Sequence, residues 1–184
     1  MKSMLTLLLL MCTPSGRSQT FTLETVNDTL HYLVLTTGSQ QDRWRLPYPV
    51  YQFQTGDVDG NGTVDALVGV IKKTRFHREL GRRLFILKNY RGHVRPLWMG
   101  SKLGGILQDF RYVEPTGADK AGIIRALETT ADGQYVVSDY RWDDFGLSFV
   151  RFLVKKVPYR EARKVFLAGT HEEAGRRQAP LRKH

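Results

Sequence analysis

Residues 57–70, DVDGNGTVDALVGV, constrain this chain more than any other stretch. Asp57, Asp59, Asn61 and Asp65 put an oxygen-bearing side chain at nearly every second position, with Gly60 and Gly62 between them. That spacing suits a tight loop around a hard cation such as Ca²⁺. The run Ala66-Leu67-Val68-Gly69-Val70 follows at once and reads as a buried strand. Without a cation, the same residues can form an Asx-rich turn that holds its own backbone. Three carboxylates in so short a loop repel one another unless positive charge lies among them, which favours the metal.

An EF-hand needs a bidentate acid at the twelfth loop position and a helix on each side. Counted from Asp57, the twelfth residue is Val68, and the flanks are β-rich. The stretch instead resembles the FG-GAP or VCBS type of β-propeller repeat, as in a small secreted bacterial member. There an aromatic residue precedes a D-x-D-x-N/D-G-x-x-D loop and an apolar strand follows; here Phe53, residues 57–65 and ALVGV fill those places. The resemblance covers roughly 30 residues of a unit of about 40–50. It implies that Asp57, Asp59, Asn61 and Asp65 ligate Ca²⁺ through side chains and Thr63 through its carbonyl. It also implies a recognition or scaffolding surface rather than an enzyme.

A decayed second copy follows. With Phe110 placed on Phe53, Glu114 falls on Asp57, Gly117 on Gly60 and Ile123-Ile124 on Ala66-Leu67, while the other ligand positions become Thr116, Ala118 and Gly122. Short strands with turns every ten or so residues run from Phe21 to Val154, the signature of stacked β-meander blades. The expected fold is all-β, propeller-like or stacked meander sheets, with two recognisable units plus a partial first one. A C-terminal helix over 158–169 is expected to cover the open blades. Open blades expose edges, so a homo-oligomer that completes the sheets is a further expectation.

Residues 1–18 read as a signal peptide: Lys2, a short leucine-rich run, then Gly16 and Ser18 at cleavage spacing. The run is too short to span a bilayer, so an exported, periplasmic or extracellular protein is expected. Cys12, the sole cysteine, sits where a lipid-anchored cysteine would, but Leu10 and Met11 before it favour ordinary cleavage.

The net charge is +10, yet residues 19–150 carry 16 basic and 15 acidic side chains, while 151–184 carry 10 and 3. The basic character belongs mainly to a tail, 170–184, expected to be disordered, and a nucleic-acid-binding body is not indicated. The segment KKTRFHRELGRR, 72–83, is expected as a long basic connection between strands, either a finger for an anionic partner or a solvated hairpin tip.

Catalytic signals are sparse. There is no G-x-S-x-G, and His31, His77, His93, His171 and His184 are scattered, each expected at the surface. Asp144-Phe145-Gly146 mimics a kinase triplet without its companions. Asp139, Asp143 and Asp144 offer acid pairs of the kind any chain this acidic contains. Trp44, Trp98 and Trp142, about one per unit, are expected mainly as core packers. If exposed, they would make a carbohydrate-binding protein, or an accessory to a carbohydrate-active enzyme working with nearby carboxylates. The partner is thus an unknown protein or a glycan. No catalytic or organic-cofactor residues are assigned.

Overall fold

A computed structural model describes residues 19–75, 77–100 and 103–168. The expected signal peptide with Cys12, and the basic tail, lie outside them.

The described chain is all-β apart from one helix. Three antiparallel meanders follow one another in sequence. The first is β1 (Gln19–Asn27), β2 (Leu30–Thr37) and β3 (Gln40–Leu46); the second is β4 (Val50–Gly56), β5 (Asp65–Thr74), β6 (His77–Tyr90) and β7 (His93–Met99). The third is β8 (Ile106–Val113), β9 (Ile123–Thr129), β10 (Tyr135–Asp143) and β11 (Gly146–Val157), after which α1 (Tyr159–Leu167) ends the described chain. No sheet closes on itself. The turns have local causes. Arg91 and Gly92 both take positive φ, 56° and 84°, as a two-residue hairpin turn of matching twist requires. The Asn27 side chain accepts the Thr29 N–H at 3.0 Å, an Asx turn joining β1 to β2.

The sheets stack face to face. Ala66, Val68, Val70, Phe85 and Leu87 of the second sheet pack against Phe21, Leu33 and Leu35 of the first. The alternate residues Leu67, Leu84 and Ile86 pack against Phe110, Ile124 and Ala126 of the third. The second sheet is thus buried on both faces, which is why β5 and the middle of β6 are unbroken apolar runs rather than alternating ones. α1 covers the far face of the third sheet, with Ala162 and Phe166 against Leu127 and Val137. Arg111 and Arg125 donate to the carbonyl oxygen of Ala168, and Arg111 also to that of Phe166, so two cations meet the negative end of the helix. At the other end of the stack, the far face of the first sheet is polar. Glu24 pairs with Arg43, whose guanidinium lies 4.7 Å from the Tyr32 ring centre.

Segment 72–83 is not a loop. β5 and β6 extend into one hairpin with Lys72 opposite Gly81 and Thr74 opposite His77. The reason is that several of its charges have partners. Lys72 lies 3.9 Å above the Tyr48 ring, Arg82 lies over Tyr51 and donates to the Gln108 carbonyl, and Arg83 is buried and donates to the Glu79 carbonyl at 2.8 Å. His31 is likewise buried, its Nδ1 sharing a 3.1 Å hydrogen bond with the Thr25 hydroxyl.

Candidate metal centre

The loop between β4 and β5 is built as its sequence implies. Gly60 and Gly62 take φ of 71° and 81°, which side chains rarely adopt, so the turn depends on glycine there. One carboxylate oxygen each from Asp57, Asp59 and Asp65 lies within 4.8 Å of the others. Asp57 accepts the N–H groups of Asn61 and Gly62, at 3.1 and 2.8 Å, one on each carboxylate oxygen, which fixes its carboxylate over the turn. Asn61 accepts the Thr63 N–H at 2.7 Å, so its amide oxygen is partly engaged in the turn itself. The three acids are drawn together, and Asn61 and Thr63 belong to the same turn.

Asp65 is the decisive member. It begins β5, is fully buried, and its Oδ2 accepts the Val58 N–H at 3.0 Å. Its Oδ1 has no partner. Burial, with the charges of Asp59 and Asp57 adding to it and the backbone N–H groups of Val58 and Asp59 opposing, pushes its pKa up to about 7. A buried carboxylate oxygen without a donor is costly. A hard cation satisfies such an oxygen, and the all-oxygen donor set suits Ca²⁺. Lys88 of β6 stands 3.6 Å from Asp59 and supplies part of the missing positive charge.

The loop is also held from both neighbouring sheets. Gln19 of β1 donates to the Val64 carbonyl at 2.6 Å. On the other side, the Asp57 carbonyl accepts the Gly122 N–H at 3.0 Å and the Tyr112 hydroxyl at 3.1 Å. Tyr112 fits there because Gly56 and Gly122 leave room for its ring; a Cβ on Gly122 would lie 2.1 Å from it. Gln52 and Gln54 of β4 bond the Phe110 carbonyl and the Tyr112 N–H, both at 2.7 Å, so side chains lace the inner edges of two sheets together.

The second loop, 114–122, occupies the equivalent place in the third sheet, with one correction. Phe53 pairs with Val68 and Phe110 with Ala126, so the strand after the loop is offset by 58 where the strand before it is offset by 57. Ile123, not Gly122, therefore stands where Asp65 does. An apolar residue at that position removes the buried ligand, and Gly122 serves the Asp57 carbonyl instead.

The other candidates are placed elsewhere. Trp98 is buried, and Trp44 and Trp142 pack against the two inter-sheet cores. Asp139 is buried between Arg125 and Arg151, at 2.8 and 3.0 Å, an ion-paired structural acid, while Asp143 accepts the Ser148 hydroxyl at the β10–β11 turn. One residue escaped the sequence reading: Glu128, buried on the face of β9 that also carries Ile124 and Ala126. The signal was a lone acid in phase with an apolar period of two.

Neither a scan against models of known protein families nor a search of curated proteins finds a match to this chain. Among the described residues, no helix is long and apolar enough to cross a membrane.

Proposed function

We propose that the chain is an exported, non-enzymatic binding or scaffolding module of the FG-GAP/VCBS type, whose 57–65 loop is set by a structural Ca²⁺. The carrying observation is the unpartnered, buried Oδ1 of Asp65 beside two further carboxylates. Asp57, Asp59 and Asp65 would hold the ion, with Asn61 and the Thr63 carbonyl completing the set. The ion supplies positive charge to the cluster. The residues around it convert that into rigidity, since the loop it fixes is bonded to the first and third sheets at once. Extracellular modules of this chemistry bind Ca²⁺ at about 10⁻⁴–10⁻³ M, which suits an exported protein. Trp98 is buried and Trp44 and Trp142 are partly buried against the inter-sheet cores, which favours packing over glycan stacking for the tryptophans.

The test is thermal unfolding with calcium and with chelator. Saturation at about 100 times the dissociation constant adds about 2.7 kcal/mol, so Tm rises by several degrees. Asp59→Ala is expected to lower Tm in calcium and to abolish the difference between the two conditions. Coincident melting curves for the unaltered chain overturn the proposal.

A further inference from the structure

A second site lies on the third sheet, away from the cation loop and independent of it. A cavity of about 510 Å³ opens beside β10 and β11, within the size range of small-molecule sites. Its walls are Leu103, Val136, Leu147, Phe149 and Phe152, and Gly104 and Gly105 form part of its lining. Phe149 and Phe152 are each about half exposed, 49% and 44%, and their ring centres are 4.5 Å apart, an aromatic mouth that water reaches.

Glu128 lies in this cavity at 2% exposure. Its two oxygens accept the Gly105 N–H at 2.7 Å and the Tyr140 hydroxyl at 2.9 Å. Tyr140 in turn accepts the Gly104 N–H at 3.0 Å, and burial, reinforced by the Glu128 charge, pushes its pKa up to about 12, so it remains a donor. No cation among the described residues pairs with Glu128. The same sheet contains the contrasting case: Asp139, equally buried, is clamped by two arginines. Asp139 thus has its charge met by cations, whereas among the described residues Glu128 has only the neutral donors Gly105 and Tyr140. Of the two lysines in the lining, Lys156 pairs with Asp132 at 3.1 Å and Lys155 lies 4.1 Å above the Phe152 ring, and neither pairs with Glu128.

We propose that this cavity binds a small molecule made of a primary ammonium on an aromatic or short alkyl body. The ammonium pairs with Glu128 and the body lies against the touching rings of Phe149 and Phe152 and against Leu147. A cation completes the carboxylate's unfilled lone pairs, and the apolar walls exclude the water that would otherwise weaken the pair.

The probes are 2-phenylethylamine, 2-phenylethanol and 3-phenylpropionate, titrated into the full chain by calorimetry and by NMR. The amine is expected to bind at least about tenfold more tightly than the alcohol, about 1.4 kcal/mol, and the carboxylate not at all. Glu128→Gln removes the preference for the amine and leaves the alcohol unchanged. Phe149→Ala weakens both. Equal binding of amine and alcohol, preference for the carboxylate, or no binding of the amine at millimolar concentration each overturns the proposal. If Glu128→Gln fails to fold, the three probes on the unaltered chain decide the matter alone.

Discussion

Asp65 couples the candidate metal loop to pH. Its carboxyl titrates near the usual 3.8 in the unfolded chain and at about 7 in the fold. Between those values the folded form holds a proton that the unfolded form has released. Without cation, stability therefore falls as pH rises through that window, and the loss is complete above about 7. The change is on the order of a few kcal/mol. Under the calcium proposal the trend is expected to reverse, because the ion takes the place of the proton and binds better as the carboxyl ionises. Denaturant unfolding at pH 5 and pH 8 is expected to show the higher stability at pH 5 in chelator, with calcium adding most at pH 8. Asp65→Asn keeps an acceptor for the Val58 N–H and is expected to flatten both profiles. A flat profile for the unaltered chain would show that Asp65 is not held in this state.

Among the elements, the pair of equivalent loops shows how far sequence alone reaches. The alternating acids, the glycines and the apolar run at 66–70 were legible, because each reports a local requirement. Phe110, matched to Phe53, located β8. The placement of β9 slipped by one position because a β-strand's register depends on loop length, and the second loop carries one more residue than the first. The role of Tyr112 had no local signal at all, since its slot is formed by two glycines far apart in sequence. Segment 72–83 is the hairpin tip that one of its two readings expected, with Lys73, Arg75, Arg78, Glu79 and Arg82 exposed. The partners of Lys72 and Arg82, namely Tyr48, Tyr51 and the Gln108 carbonyl, had no local signal because only the tertiary structure supplies them. Gly122→Ala is expected to cost about 1–3 kcal/mol by overpacking against Tyr112. Tyr112→Phe, which loses one hydrogen bond, is expected to cost about 1 kcal/mol and to shrink the calcium-dependent gain. Chemical denaturation of both variants with and without calcium measures this; an unaffected calcium gain in Tyr112→Phe would disconnect the two loops.

For the molecule as a whole, the all-β class, the three successive meanders and the terminal helix followed from turn spacing and apolar period. The stacking order did not, because periodicity says which residues are buried and not against what. Glu128 illustrates the difference: an apolar period of two places it inward, but the cavity beside it is lined by residues 103–105 and by β10 and β11, which no local pattern brings together. α1 is the lid on the third sheet's outer core. Phe166→Ala, which empties that contact, is expected to cost about 3–5 kcal/mol. The loss would appear as a lower denaturation midpoint, and an unchanged midpoint would mean that the helix is dispensable.

The two ends of the column differ in kind. One terminates in hydrated charge, Glu24 with Arg43; the other in a helix pinned by Arg111 and Arg125. Among the described residues, neither end offers a bare apolar plane to a newcomer, whereas each inner interface is apolar on both sides. Lengthening the column at a terminus would therefore first require that terminal face to be remade.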